Sequence, residues 1–195
     1  MHYPWGRPND NGLLMGILLV GLLAIPAASV RGQAVPEQAV AFRVAGIEVL
    51  GDGPGAATLG FGVFNPIEDR AQEKSVHELR VEYRIGEKWN GLGPMAGVLV
   101  NAVGGVFGYA GAYADLRLAE RWLITPAVGV GAYNRSDGKR LGGVFQFHLG
   151  LDAAYRFRNG HRLGLKIAHI SNASLQETNL GTESVLLTYT VPTAW

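Results

Sequence analysis

Apolar and polar residues alternate with a period of two along much of this chain. Between Phe145 and Phe157 the odd positions are Phe, Leu, Ala or Tyr, whereas the even positions include Gln, His, Asp and Arg. Residues 78–85 repeat the pattern, with Leu, Val, Tyr and Ile set against Glu and Arg. Successive side chains of a β-strand point to opposite faces, so this period predicts strands with one apolar and one polar face.

The alternation predicts eight strands. Most are longer than the usual five or six residues of soluble sheets, and long enough to cross a bilayer when tilted. An antiparallel sheet of about eight strands closes into a barrel whose own side chains fill the interior. The predicted strands span residues 56–64, 78–86, 94–102, 106–117, 121–133, 142–157, 161–174 and 184–195.

Aromatic residues and the last strand favour a membrane barrel over a soluble β-sandwich. In a membrane barrel the apolar face meets lipid, the polar face lines the interior, and aromatic girdles lie at both interfaces. The last alternating strand closes on an aromatic residue, as the terminal strands of outer-membrane barrels do. We therefore predict an all-β fold, an eight-stranded antiparallel transmembrane β-barrel of the bacterial outer membrane. The aromatic residues near predicted strand ends are Trp89, Trp122, Tyr133, Tyr155, Phe157 and Trp195.

The predicted connections alternate between long polar loops and short turns. Residues 65–77, 134–141 and 175–183 are long and polar, whereas 118–120 and 158–160 are short, the latter containing the hairpin signal Asn-Gly. Bacterial barrels place long loops outside the cell and short turns in the periplasm. This parity predicts that loop 175–183 lies at the outer leaflet.

An apolar run from Leu13 to Ala28 precedes the alternating part of the chain. It is shorter than the roughly 20 residues of a spanning helix and contains Pro26. Small residues suited to signal cleavage follow it, so a cleaved signal peptide is favoured over a membrane anchor. The predicted division of the chain is a signal peptide over 1–34, an N-terminal segment over 35–55 with an extra strand as one interpretation, and the barrel over 56–195.

Composition narrows the possible functions. The chain has 195 residues, a net charge of +1 and no run rich in Lys or Arg, so no nucleic-acid partner is expected. It has no Cys, which excludes disulfides, thiol catalysis and Cys-ligated metal. Glycine is frequent, with 28 residues against a usual share of about 7%, which suits tight turns and crowded barrel interiors.

Near the end of the chain a strand that is apolar on one face becomes polar on that same face. Residues i and i+2 of a strand share a face, so His169 and Ser171 continue the register of Leu165 and Ile167. Unpaired polar groups are costly in hydrocarbon, and an imidazole can accept a hydrogen bond from a serine hydroxyl. That contact is the first half of a nucleophile–base pair.

Such a pair needs an acceptor that orients the imidazole. Glu183 begins the next antiparallel strand and shares the odd register of Val185, whereas Glu177 is a second candidate that lies in a loop. The alternative interpretation is a polar barrel rim, since His and Ser are tolerated where water and headgroups reach. Spacing alone leaves both interpretations open.

The segment HISNASLQETNLGTES, residues 169–184, resembles the active-site signature of the lipid A 3-O-deacylase family, the PagL-like outer-membrane esterases. The resemblance rests on H-x-S-N-A-x-L over 169–175, followed by Asn179, Gly181 and Glu183 before a terminal alternating strand. Weaker similarity extends back to about residue 78.

This resemblance implies a barrel that removes the 3-hydroxyacyl chain ester-linked at position 3 of lipid A in the outer leaflet. Ser171 would be the nucleophile, His169 the general base and then acid, and Glu183 the orienting carboxylate. Asn172, by its backbone N–H, and Asn179 would stabilise the oxyanion. The family implies no metal or other cofactor, lipopolysaccharide and the outer membrane as partners, and homodimerisation as an option.

Two other functions remain as alternatives. A different lipid-active barrel, such as a phospholipase or acyltransferase, would share the location of the site but act on another ester. A non-enzymatic structural barrel would use the segment only as a polar rim. An assay with different lipid esters distinguishes the first alternative from a lipid A deacylase. Any turnover that depends on Ser171 distinguishes an enzyme from the second alternative.

Overall fold

The computed structural model describes residues 38–67, 75–176 and 178–193. The predicted signal peptide over 1–34, the alternative acid Glu177 and the terminal Trp195 lie outside the described residues. Within them, no helix is long and apolar enough to cross a membrane.

Ten antiparallel strands make up the described chain, and eight of them form a closed barrel. β3 to β10 each pair with the next strand along the chain, and β10 pairs with β3 to close the circle. The strands are β1 (Val40–Val44), β2 (Ile47–Leu50), β3 (Ala56–Phe64), β4 (Val76–Arg84), β5 (Leu92–Asn101), β6 (Val106–Ala119), β7 (Trp122–Asn134), β8 (Phe145–Arg156), β9 (Arg162–Ser171) and β10 (Thr182–Pro192).

The predicted eight-stranded barrel is confirmed, and most strand ends agree to within two or three residues. Two differences of three residues lie around the candidate site. β8 begins at 145 instead of 142, and Gly142 has a φ of +86°, a left-handed backbone that cannot continue a strand. β9 ends at 171 instead of 174, because Ala173 and Ser174 have φ values of +52° and +61°.

The two barrel faces differ as the alternation predicts. Outward-facing side chains are apolar and exposed, including Leu165 (63%), Ile167 (58%) and Leu187 (57%). Apolar surface of this extent on a closed barrel is stable only in contact with lipid. The chain is therefore a transmembrane barrel of the bacterial outer-membrane type.

Charged side chains in the barrel interior form mutual ion pairs. The guanidinium of Arg84 lies 3.4 Å from the carboxylates of both Glu82 and Asp152, and Lys166 forms an ion pair with Glu82. Burying an unpaired charge costs several kcal/mol, so these opposite charges stabilise one another only as a set. These pairs occupy one part of the described interior, and a cluster of buried apolar side chains that includes Leu99, Phe107 and Ile170 occupies another.

The connections define two ends of the barrel. The long-loop end carries the connections 65–75, 102–105, 135–144 and 172–181, and the short-turn end carries 85–91, 120–121 and 157–161. Residues 40–50 form the β1–β2 hairpin at the short-turn end. β2 pairs with β6 through Glu48 opposite Arg117, next to the stretch of β6 that pairs with β5.

Candidate active site

The imidazole and the carboxylate of the predicted triad meet on the outer wall at the long-loop end. His169 of β9 and Glu183 of β10 are directly opposite in the antiparallel register. The imidazole Nδ1 lies 3.1 Å from Glu183 Oε1, a hydrogen-bond distance, with both side chains about half exposed. Because Nδ1 faces the carboxylate, Nε2 is the ring nitrogen left for another partner.

Ser171 lies at the end of β9, two residues beyond His169 and on the same outward face. In the pairing of β8 with β9, Phe147 lies opposite Ser171 and Leu149 lies opposite His169. The structure gives Ser171 no hydrogen bond to the imidazole among the described residues. Catalytic hydrogen bonds of unliganded enzymes are often long and shorten when substrate binds.

Asn172 follows directly, and its side chain turns into the barrel and is fully buried. Its amide nitrogen donates to the backbone carbonyls of Thr178 (2.7 Å) and Leu141 (2.9 Å), and its Oδ1 accepts from the backbone N–H of Ser174 (3.0 Å). These bonds join connection 172–181 to connection 135–144. The side chain of Asn172 therefore fixes the loop beside the site and is not available to a substrate.

Asn179 lies in the same loop and its side chain is exposed. Its Oδ1 accepts a hydrogen bond from the backbone N–H of Asn172 at 3.1 Å. This contact uses the N–H that the sequence suggested as an oxyanion donor. It also fixes the orientation of the Asn179 amide. The Nδ2 of this amide can donate hydrogen bonds, and it has no partner among the described residues of the loop.

Two glycines allow the close contacts around these residues. Gly181 has a φ of +54°, and a Cβ there would lie 3.1 Å from His169 Cε1. Gly142 has a φ of +86°, and a Cβ there would overlap the carbonyl oxygen of Thr178 and approach Asn172 Nδ2 to 2.8 Å. A side chain at position 181 would therefore displace the imidazole of His169, and one at position 142 would push the two loops apart.

Gly142 and the Leu141 carbonyl are contributors that sequence reasoning missed. The available signal was the Gly142-Gly143 pair at the start of the predicted strand 142–157, directly after the predicted polar loop 134–141, since paired glycines mark turns with left-handed backbone. Nothing in the sequence indicated which loop these glycines would touch.

Apolar side chains surround the site on the outer wall. Phe145 and Phe147 of β8 pack edge to face with ring centroids 5.2 Å apart, next to Ser171 in the register. Ile167 and Val185 are exposed one step further from the loop. The polar side chains of the candidate site thus lie at the border of an apolar wall. Among the described residues, no group of three His, Cys, Asp or Glu side chains is placed to hold a metal ion.

Comparisons with known proteins show which proteins this chain resembles. A family model described as lipid A 3-O-deacylase (PagL) matches residues 59–192. The lipid A deacylase PagL of Bordetella bronchiseptica is 37% identical over 75 residues, which cover 36% of this chain and 41% of the relative. The lipid A deacylase PagL of Pseudomonas aeruginosa is 35% identical over 72 residues, which cover 36% of this chain and 42% of that relative.

The matched stretches span less than half the length of these two relatives. A solved structure, the crystal structure of the outer membrane enzyme PagL, superposes with a TM-score of 0.57 at 22% sequence identity. This alignment covers 71% of the present chain and 99% of the other, and it shows that the two share the barrel fold.

Proposed function

Because the chain belongs to the lipid A 3-O-deacylase (PagL) family, whose model matches residues 59–192, we propose that it is an esterase that removes the 3-O-linked 3-hydroxyacyl chain of lipid A. The observation that carries this proposal is the pairing of His169 with Glu183 on the outer wall, 3.1 Å apart, with Ser171 next on the same face. The long-loop end then faces the outside of the cell, where lipid A occupies the outer leaflet.

The proposed reaction begins at Ser171. Its Oγ attacks the ester carbonyl carbon while Nε2 of His169 accepts the hydroxyl proton. Glu183 accepts from Nδ1–H, which selects the tautomer with a free Nε2 and stabilises the imidazolium once it forms. The protonated imidazole next donates to the leaving alkoxide of the sugar. Water then attacks the acyl-serine with His169 again as base, which releases the 3-hydroxy fatty acid.

The developing oxyanion needs a fixed donor, and we assign this role to Nδ2 of Asn179. The hydrogen bond from the Asn172 backbone occupies the oxygen end of that amide, so the nitrogen end is oriented before substrate arrives. Asn172 serves as a positioning residue, since its buried side chain joins the two loops. A donor that is oriented in advance needs no reorganisation in the transition state.

The location on the wall suits a substrate that never leaves the membrane. The candidate site is exposed on the outer wall, so lipid A can reach it by lateral diffusion within the leaflet. Apolar side chains such as Phe147, Ile167 and Val185 contact the acyl chains below the reacting ester. We therefore expect deacylation in mixed micelles or bilayers without extraction of the lipid.

An assay of released acids tests the proposed substrate class. Refolded protein is incubated with lipopolysaccharide and, separately, with phosphatidylethanolamine, and free fatty acids are quantified by mass spectrometry. We expect 3-hydroxy fatty acid from lipopolysaccharide and no acid from the phospholipid. Release from the phospholipid alone would identify a phospholipase instead, and release from neither, by a folded barrel, would contradict an esterase function.

Replacing the orienting carboxylate should slow deacylation without abolishing it. We expect Glu183→Ala to lower kcat about 10²-fold, less than loss of the nucleophile, because an orienting residue contributes less than the groups it orients. Glu183→Gln keeps an oxygen acceptor opposite Nδ1 and should fall between the wild type and Glu183→Ala. Initial rates on lipopolysaccharide measure this series, and equal rates for all three proteins would remove Glu183 from the site.

Removing the proposed oxyanion donor should lower kcat with little change in KM. We expect Asn179→Ala to reduce kcat by about 10²-fold, the usual cost of losing one such donor. Asn179→Asp keeps the oxygen that accepts from Asn172 but replaces the donor with a second oxygen, and should be at least as slow. A wild-type kcat for Asn179→Asp would show that the oxyanion is stabilised elsewhere.

A further inference from the structure

A second polar site lies at the short-turn end of the barrel, far from the triad. Where the β1–β2 hairpin rests against the end of β6, a cleft of about 580 Å³ opens between the hairpin and two turns. Its charged lining consists of Arg117, Arg121, Arg156, Arg158, Glu48 and Glu120. We call it the basic cleft. Its volume falls within the range of about 300–1,000 Å³ common for ligand sites.

The hairpin helps to form the basic cleft and fixes its charge. Glu48 of β2 forms ion pairs with Arg117 of β6 and, at 2.5 Å, with Arg43 of β1. Hydrogen bonds from Arg43 and Arg117 hold the pKa of Glu48 below its usual range, so this carboxylate stays ionised at neutral pH. Arg121 of one turn and Arg158 of the other also line the cleft.

The turn between β6 and β7 is joined to the end of β8, from which the other turn begins. The backbone N–H of Arg156 donates to the carbonyl of Arg121 at 2.8 Å, which holds the turn between β6 and β7 against the end of β8. Arg121 lies 3.8 Å from the highly exposed Glu120, a pair that solvent weakens. Arg158 is exposed on the turn that follows β8.

Aromatic and apolar side chains adjoin the basic cleft on the outer wall. Trp122, Tyr155 and Phe157 pack edge to face in a row, with successive ring centroids 5.5 and 5.4 Å apart. Trp122 is 55% exposed, Leu118 47% and Phe157 40%. Tyr and Trp rows of this kind mark the interface between hydrocarbon and headgroups. The arginines therefore lie at the depth of lipid phosphates.

We propose that the basic cleft binds the phosphate of a phospholipid headgroup from the leaflet at the short-turn end. Guanidinium groups bind phosphate oxygens through paired, charge-assisted hydrogen bonds. Leu118, Trp122 and Phe157 contact the glycerol and upper acyl chains, which a free phosphate ion lacks. The assignment to the periplasmic leaflet rests on the orientation in the proposed function, whereas binding itself does not depend on it.

One side of the basic cleft lies outside the region that the family model matches. The matched region begins at residue 59, whereas the hairpin that closes one side of the basic cleft spans residues 40–50. A bound lipid would connect the hairpin, β6 and the turn after β8 through one headgroup. It would also fix the depth of the barrel in the membrane, and with it the height of Ser171 at the opposite interface.

Native mass spectrometry of the full chain in detergent tests the proposal. The protein is titrated with phosphatidylglycerol, with diacylglycerol of the same acyl chains, and with inorganic phosphate. We expect saturable binding of phosphatidylglycerol and weak binding of the other two. Arg121→Gln combined with Arg158→Gln should weaken phosphatidylglycerol binding by about tenfold or more, because charge-assisted hydrogen bonds are lost. Arg135→Gln combined with Arg140→Gln, the same charge change at the long-loop end, should not.

Three results would overturn the proposal. They are equal binding of diacylglycerol and phosphatidylglycerol, unchanged binding by the cleft variant, and inorganic phosphate binding as tightly as the lipid. Heat-modifiable gel migration verifies that each variant is folded, and Arg158→Gln alone, on an exposed turn, serves if the double variant does not fold. Ser171→Ala should bind phosphatidylglycerol as the wild type does, so failure of the esterase proposal and failure of this one are distinguishable.

Discussion

Ser171→Ala should leave the barrel assembled and reduce deacylation of lipopolysaccharide by about 10³-fold or more. The substitution removes the only atom that is proposed to form a bond with the acyl carbon. The oxyanion donor and the apolar wall remain, and in serine hydrolases such groups alone retain only a small residual rate. Ser171 lies at the strand end and is partly exposed, so loss of its hydroxyl should not disturb the strand pairing of β9.

The matched control is Ser174→Ala in the same loop, where the described hydrogen bond of the serine is made by its backbone N–H. Initial rates of fatty acid release compare the two variants with the wild type, and heat-modifiable migration verifies folding. We expect a wild-type rate from Ser174→Ala. A Ser171→Ala protein that is folded and retains more than about a tenth of the activity would rule out Ser171 as nucleophile.

His169→Asn should cost nearly as much as Ser171→Ala. Without the imidazole no group accepts the proton of the hydroxyl, and no group returns one to the leaving alkoxide. Residues that act as a unit are not additive, because either loss already stops the same step. The double variant Ser171→Ala with His169→Asn should therefore be no slower than either single variant.

His161→Asn provides the control for histidine removal. His161 precedes the same strand at the short-turn end, where its Nδ1 lies 2.7 Å from the hydroxyl of Tyr189. We expect this variant to deacylate at the wild-type rate. Losses that multiply in the Ser171/His169 double variant would show that the two side chains act in separate steps, contrary to the proposed pair.

The barrel and the meeting of two site residues follow from the sequence because both depend on strand periodicity. A period of two determines which face each residue takes, and an apolar face longer than a soluble sheet needs indicates lipid. The shared odd register of Glu183 and Val185 placed the carboxylate on the same wall as His169, and the observed register pairs these residues directly. The catalytic roles of these residues stay predictions.

Periodicity does not describe the loop that completes the site. Ala173 and Ser174 adopt left-handed φ values that non-glycine residues rarely take, so the predicted strand ran three residues too far. The contact of Asn172 with Leu141 joins two loops that are 31 residues apart in the chain. Its contact with Thr178 depends on the turn at Ala173 and Ser174. Such contacts are set by how two loops pack, which a single sequence does not encode locally.

The N-terminal hairpin illustrates the same limit. Residues 38–50 alternate like a strand, but alternation does not indicate a turn at Ala45 and Gly46, where both φ values are positive. Nor does it identify β6 as the neighbour, because any strand with free backbone groups is an equal partner by pattern alone. The pairing of Glu48 with Arg117 is visible only once the barrel has placed Arg117 at an open edge.

Tandem mass spectrometry of lipid A, after incubation of lipopolysaccharide with the refolded protein, tests the proposed deacylation directly. We predict loss of one 3-hydroxyacyl chain, with fragment ions that assign the loss to position 3 and leave every other chain in place. Unchanged lipid A from a folded barrel, or loss of a chain from any other position, would contradict it.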